Sequence, residues 1–287
     1  MRLPFLDSSP RVPRVRPGQP YLAGGPLLMA HRGGAALAPE NTLAAFRRAL
    51  EWWRADLLEI DVHATREGEV VVIHDASVDR TTDGSGPVAG FTLAELQRLD
   101  AGYRFSPDGG RSFPFRGRGE RVPTLEAVLR AFPWARVNVE VKDNRAQERV
   151  RELVRSSGAV RRVLIAAGKG RNRSLFADWP GATSASEEEV LDFWLRLRTR
   201  STRRWRPPVD AFQVPEFFGP LRVVSPRFIR EAHARNVAVH VWTVDAEADM
   251  RRLLEWGVDG IVTDRPDVLA RVLHELYGRP LPPGPPS

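Results

Sequence analysis

The stretch "LEIDVHATREGEVVVIHD" carries Glu59, Asp61 and His74, and "VNVEVKD" carries Glu140 and Lys142. On an extended strand, residues two apart face the same side, so Glu59 and Asp61 set two carboxylates a few ångströms apart. Like charges that close need a cation or a shared proton. Taken alone, an "ExD" pair reads equally as acids on the wet face of a hairpin. Glu140 ends a second apolar run and adds a third carboxylate to the same rim. Three oxygen donors in a chain with no cysteine suit a hard cation, Mg²⁺ or Ca²⁺, that keeps positions open for water or substrate. Lys142 lies two residues past Glu140 and shares its face. Only two of the 43 basic residues are lysine, the other being Lys169. A compact ammonium at this place fits a phosphate oxygen beside the cation, and the plainer reading is a surface lysine at a strand end.

His31 in "LLMAH" and His74 in "VVIHD" both end apolar runs. Two imidazoles so placed can serve as general base and general acid across a phosphorus centre. Arg32 can fork onto a phosphate, although it is one of 41 arginines and a weak signal for that reason. Trp242 in "HVWTVD" reads as an aromatic wall for a small polyol or as core. His63 reads as structural, His233 and His274 fall in helical stretches, and His240 shares a strand face with Trp242 as a core or rim residue.

These residues need a frame that brings strand ends together. Between residues 27 and 277, short apolar runs alternate with helical patterns such as "NTLAAFRRALEWWRA", capped by Asn41 or Thr42 with Leu43, Phe46, Leu50 and Trp53 on one face. "DLLEIDVHAT" and "VVVIHD" read as a hairpin across the turn "REGE". With "VVVIHD" counted as the hairpin partner, eight strand-and-crossover units remain, the pattern being faintest at "SLFADWP" and "ATSAS". Eight units predict an α/β fold of the (β/α)8 TIM-barrel kind, with the polar residues at the C-terminal strand ends. A doubly wound open sheet is the alternative if two units fail. Residues 76–123 are too long for an ordinary loop and predict a small insertion after the second barrel strand. Residues 1–26 and 278–287 are proline-rich and predict an extended arm and a tail.

The formal charge of +7 and a pI near 10.7 raise the rival of a nucleic-acid or anionic-membrane binder. Arginine dominance weakens it, since arginine spread along a whole chain raises the pI without making a basic patch. One cluster exists, "RLRTRSTRRWR" from Arg196 to Arg206, which reads as a solvated helix end and loop. The absence of cysteine excludes disulfides and thiolate zinc sites. No stretch has the roughly 18 uninterrupted apolar residues of a membrane span, and the expectation is a cytoplasmic protein.

The motifs taken together resemble the glycerophosphodiester phosphodiesterase family. "HRGGAALAPENT" is similar to its opening motif, "EIDVHATREGEVVVIHD" to its metal and second-histidine segment, and "VDRTTDGSGPVAGFTLAELQRLDAG" to the start of its insertion. "VPTLEAVL", "NVEVK", "HVWTVD" and "GVDGIVTDRPD" follow in order, so the likeness covers about residues 27–272. The resemblance implies a (β/α)8 barrel with an insertion after the second strand. It implies His31 and His74 as the acid–base pair and Glu59, Asp61 and Glu140 as ligands of a divalent cation. It further implies Arg32 and Lys142 as phosphate contacts, Trp242 as a substrate wall, and a small-molecule glycerophosphodiester as substrate. The chain departs from the pattern before Leu27, between about Lys169 and Pro208, and in the tail. Two rivals stand beside this reading. One is a lysophospholipase D-type hydrolase that meets lysolipids or a membrane surface through "FQVPEFFGPL" and the arginine cluster. The other is a non-catalytic barrel binding phosphodiesters or nucleic acid, against which the presence of both histidines and all three carboxylates speaks.

Overall fold

The computed structural model describes residues 20–202, 205 and 208–286. Strands β1 (Leu27–His31), β2 (Leu57–Ala64), β3 (Val70–Val72), β4 (Arg136–Val141), β5 (Val163–Ala166), β6 (Ala182–Thr183), β7 (Ala211–Pro215), β8 (Phe217–Phe218), β9 (Leu221–Arg222), β10 (Ala238–Trp242) and β11 (Gly260–Thr263) appear in that order. Eight of them form one parallel sheet in the order β6-β5-β4-β2-β1-β11-β10-β7. A parallel bridge from Ser184 to Ala211 links its two ends, so the sheet is a nearly closed barrel, and the open-sheet alternative is excluded.

Helices α1 (Leu43–Glu51), α2 (Leu93–Leu96), α3 (Leu125–Ala131), α4 (Gln147–Ser156), α5 (Glu187–Arg198), α6 (Pro226–His233), α7 (Glu247–Glu255) and α8 (Pro266–Tyr277) fill the crossovers, except that a 3-10 stretch, Gly170–Phe176, follows β5. Thr42 caps α1 by accepting from Ala45 N at 3.2 Å, and its buried face is Ala45, Phe46 and Ala49.

Strand alternation explains where the chemistry ends up. Leu28, Ala30, Leu58, Ile60, Val62, Val137 and Val139 face outward and pack with Phe46, Phe132 and Val150 from the helices. The intervening Leu27, Met29, Leu57 and Leu164 line the inside of the barrel. Continuing that inward parity upward gives His31 on β1, Glu59 and Asp61 on β2, Glu140 on β4 and Trp242 on β10. Lys142 extends β4 by one more step, its N–H donating to Val62 O at 3.1 Å.

β3 pairs antiparallel with β2, Val62 opposite Val72, as the predicted hairpin requires. The chain then leaves the barrel until Pro123, whose carbonyl accepts from Val72 N at 2.8 Å. This excursion has a small core of Val78, Val88, Leu96, Ala101 and Val122 set against Val71 and Ile73. A capping box between Thr92 and Glu95 starts its short α-helix, α2, just after a 3-10 turn at Val88–Gly90.

The predicted N-terminal arm needs correction at its end; residues 1–19 lie outside the described residues. Pro20–Leu22 is a 3-10 turn, and Tyr21 is fully buried among Leu27, Met29 and Leu57. The small residues Ala182, Ala211 and Ala238 leave the barrel floor underfilled, and an aromatic ring from outside the repeat seals it. Arg136 Nη1 fixes the turn by donating to Tyr21 O at 2.8 Å and Ala23 O at 2.7 Å. The proline tail is also anchored: Arg279 makes a forked pair with Asp56 at 2.7 and 2.8 Å.

In the arginine cluster, Arg203, Arg204 and Arg206 lie outside the described residues. Arg196 pairs with Asp192 at 2.8 Å, and Trp205 stacks on Phe193 at 4.9 Å between ring centres. The first is a solvent-exposed pair within α5, and the second packs the segment after α5 against the barrel's outer core.

Candidate active site

The loop "HRGG" turns at the end of β1 through backbone that favours glycine. Gly33 has φ +87°, and a Cβ there would stand 2.8 Å from Ala45 Cβ and from the Phe46 ring. The tight turn lets Arg32 N donate to Glu59 Oε2 at 3.1 Å.

Glu59, Asp61 and Glu140 each offer an oxygen, and the three lie within 4.8 Å of one another. Glu59 and Asp61 are buried, while Glu140 is partly open to solvent. Burial, and then the Asp61 charge beside it, push the Glu59 carboxyl up to about 8. Burial would raise Asp61 too, but the charges of Lys142 and Arg32 outweigh it and hold its pKa below the ordinary value. Lys142 Nζ bridges Asp61 Oδ1 at 3.2 Å and Glu140 Oε2 at 2.9 Å. Arg32 Nε stands 3.3 Å from Asp61 Oδ2, and Asn41 Nδ2 donates to the same oxygen at 3.1 Å. A buried set whose like charges drive one member toward protonation, with one ligand facing solvent, fits a divalent hard cation.

His31 ends β1 beside Glu59. Its Nδ1 lies 2.7 Å from Asp264 Oδ1. Asp264 is held in turn by Asp245, whose Oδ1 accepts from Asp264 N at 2.8 Å and Thr263 Oγ1 at 2.9 Å. Burial opposes the charged imidazole, but the Asp264 hydrogen bond and the Glu59 charge outweigh it and raise the His31 pKa above its ordinary value. Asp264→Asn removes the charge of that partner. The basic limb of the pH–rate profile is then expected to move to lower pH, with the acidic limb unmoved. A profile identical to the wild type would refute the role of Asp264.

His74 is tied to the cluster through a chain of ion pairs. Its Nδ1 lies 2.6 Å from Asp75 Oδ1, and Arg80 Nε donates to Asp75 Oδ2 at 2.7 Å. Arg80 also reaches Glu40 at 2.6 and 2.8 Å, and Glu40 accepts from Arg32 Nη1 at 3.0 Å. The Arg80 hydrogen bond pulls Asp75 down to about 2. Arg80 comes from the insertion, which therefore orients the second histidine. His63 Nε2 lies 3.0 Å from His74 O, and burial lowers its pKa, in keeping with a structural residue.

The predicted residues thus fall into three groups. His31, Arg32, Glu59, Asp61, Glu140 and Lys142 meet directly. His74 joins through Asp75, Arg80 and Glu40. Trp242 stands at the barrel mouth, 44% exposed, which resolves its open reading in favour of the rim; His240 is wholly buried below it. Sequence reasoning missed Glu40, Asn41, Asp75, Arg80, Asp245 and Asp264. Asp264 and Asp75 had a readable signal, since each is an acid at a strand end or beside a candidate histidine. Arg80 had none among so many arginines.

A parallel barrel that gathers carboxylates, imidazoles and cations at the C-terminal ends of its strands defines a barrel enzyme for a charged substrate. The profile of the Glycerophosphoryl diester phosphodiesterase family matches residues 31–268. The chain is 33% identical to the glycerophosphodiester phosphodiesterase of Caldanaerobacter subterraneus subsp. tengcongensis over 258 residues, covering 87% of this chain and 98% of that protein. It is 34% identical over 253 residues to a Bacillus subtilis protein named putative glycerophosphodiester phosphodiesterase, covering 85% of this chain and 96% of the other. The crystal structure of an Agrobacterium tumefaciens glycerophosphodiester phosphodiesterase superposes with a TM-score of 0.68 at 28% identity, covering 85% and 98% of the two chains. This chain belongs to the glycerophosphodiester phosphodiesterase family, and it is a phosphoric diester hydrolase. No described helix is long and apolar enough to cross a membrane.

Proposed function

We propose that the chain cleaves glycerophosphodiesters to glycerol 3-phosphate and an alcohol, with Glu59, Asp61 and Glu140 holding Mg²⁺ or Ca²⁺ and with His31 and His74 as the acid–base pair. The observation that carries this reading is the carboxylate cluster within 4.8 Å beside a histidine already oriented by Asp264. When bound, a divalent cation supplies positive charge to the phosphoryl oxygens and lowers the pKa of a hydroxyl. Lys142 and Arg32 stand against the same carboxylates and balance charge on the phosphoryl group as the bond breaks. His31, with its pKa raised and Nδ1 engaged, presents Nε2 as the donor that protonates the leaving alkoxide. His74, oriented by Asp75, removes the proton of the attacking hydroxyl. Trp242 offers its ring to the carbon side of the glycerol.

A second reading has its own observation. The hairpin β8–β9, directly after β7, exposes Phe217 at 46%, Phe218 at 74% and Leu221 at 50%. β7 ends at Pro215, paired with Trp242, so this apolar surface begins at the mouth on the glycerol side. An acyl chain on the glycerol would run onto it, which supports lysolipid hydrolysis at a membrane surface as an alternative.

One assay tests both. Release of the free alcohol, choline or glycerol, is measured from glycerophosphocholine and glycerophosphoglycerol after chelation, and again with Mg²⁺ or Ca²⁺ restored, beside the matching lysophospholipids. Release from the water-soluble diesters only when metal is restored is the expected result. Absence of release under either metal would overturn the reading, and preference for the lipids at equal concentration would replace it with the second.

A further inference from the structure

We propose that the cavity beside the carboxylate cluster receives the alcohol half of the diester, and that Arg171 selects alcohols bearing a negative charge, a carboxylate or a second phosphate. This rests on the reading of the chain as a glycerophosphodiesterase. The cavity, about 470 Å³, opens against Lys142 and runs between Ala76, Val88 and Ala89 of the insertion and the loops after β4 and β5. Its size suits a small polar alcohol or a phosphoglycerol group.

Topology sets its side of the site. β10 is four strands from β4 in the eight-stranded order, so Trp242 stands across the mouth from Lys142. A diester lying over the cluster with its glycerol against Trp242 must direct its other half into this cavity.

The charges of the wall choose what that half carries. Asp143 is the one acid lining it, and Arg145 Nη2 donates to Asp143 Oδ2 at 2.6 Å. Lys142 is held by Asp61 and Glu140. Arg171 is exposed and enters no ion pair among the described residues, which leaves its charge uncommitted. Its backbone is fixed, for the buried Gln147 donates to Arg171 O at 2.9 Å, and its neighbour Asn172 donates to Lys142 O at 2.8 Å. Glu188, nearby at the start of α5, accepts from Gly170 N at 3.2 Å and does not line the cavity. No Phe, Tyr or Trp lines the cavity among the described residues, and its one ring, the His63 imidazole, is engaged through Nε2 with His74 O, so the wall offers a quaternary ammonium neither a cage of electron-rich rings nor a free carboxylate.

The test compares kcat/KM for glycerophosphocholine, glycerophosphoglycerol, glycerophosphoserine and bis(glycerophospho)glycerol with saturating divalent cation, in the wild type, Arg171→Ala and Arg171→Glu. The wild type is expected to favour the substrates with a carboxylate or a second phosphate, and the better of those two identifies the anion. In Arg171→Ala the anionic-to-neutral ratio is expected to fall about tenfold, mostly through KM, as for a lost charge-assisted contact made in ground and transition states alike. Arg171→Glu is expected to reverse the order toward choline. Equal ratios in all three proteins would overturn this proposal while leaving the hydrolase reading standing. Absence of cleavage of all four by the wild type would overturn both.

Discussion

Replacing His31 with alanine is expected to lower kcat for a glycerophosphodiester by about 10²–10⁴-fold, the range for losing a positioned proton donor or acceptor. The imidazole is anchored on one nitrogen by Asp264, itself fixed by Asp245, so its loss cannot be made good by another donor in the same place. His74→Ala is expected to fall in the same range, and the double variant to lose far less than the product of the two, because the pair acts as a unit. The roles separate with an activated leaving group. A p-nitrophenyl diester needs no protonation as it departs, so His31→Ala should regain most of its deficit on that substrate while His74→Ala should not. Equal deficits of both variants on both substrates would refute the assignment of His31 as acid and His74 as base. A near-UV circular dichroism spectrum unchanged in His31→Ala keeps the result from being read as unfolding.

The second large effect concerns Glu59 and combines activity with stability. Its folded-state pKa, near 8, lies above that of an unfolded glutamate, so the native state binds more protons in between. The resulting stability is present in full below the unfolded value and is lost as pH rises through the folded one. Chelated protein is therefore expected to lose Tm between about pH 5 and 8. Glu59→Gln cannot ionise and is expected to melt a few degrees higher than the wild type at pH 8 after chelation. Adding Mg²⁺ or Ca²⁺ should raise the wild-type Tm by mass action and move the variant little. Activity of the variant should fall at least about 10²-fold with the cation site. A stabilised, inactive variant that no longer responds to cation identifies a site where function is held at a cost to the apo fold. A variant less stable than wild type at pH 8 in chelator would sink the account.

The barrel was legible because eight apolar runs spaced by helical patterns admit few arrangements. The hairpin, the Thr42 cap and the excursion after β3 follow from local rules of alternation, capping and loop length. The arm was misread at Tyr21, and locality explains why. Its segment has the composition of a linker, and its burial comes from a vacancy left by Ala182, Ala211 and Ala238, three residues scattered over 57 positions.

By itself the sequence determined the inward parity of Glu59, Asp61, Glu140 and Lys142 and the placing of His31 and His74 at strand ends. These are consequences of a two-residue period acting along each strand. Tertiary structure alone decided what holds the imidazoles and what shapes the cavity. Asp264 meets His31 across 233 positions because barrel closure lays the last strand beside the first. Arg80 bridges Asp75 and Glu40 because the insertion folds back over the mouth. No local pattern encodes such pairs, since each depends on how separate elements pack and on which few of 41 arginines the packing brings within reach.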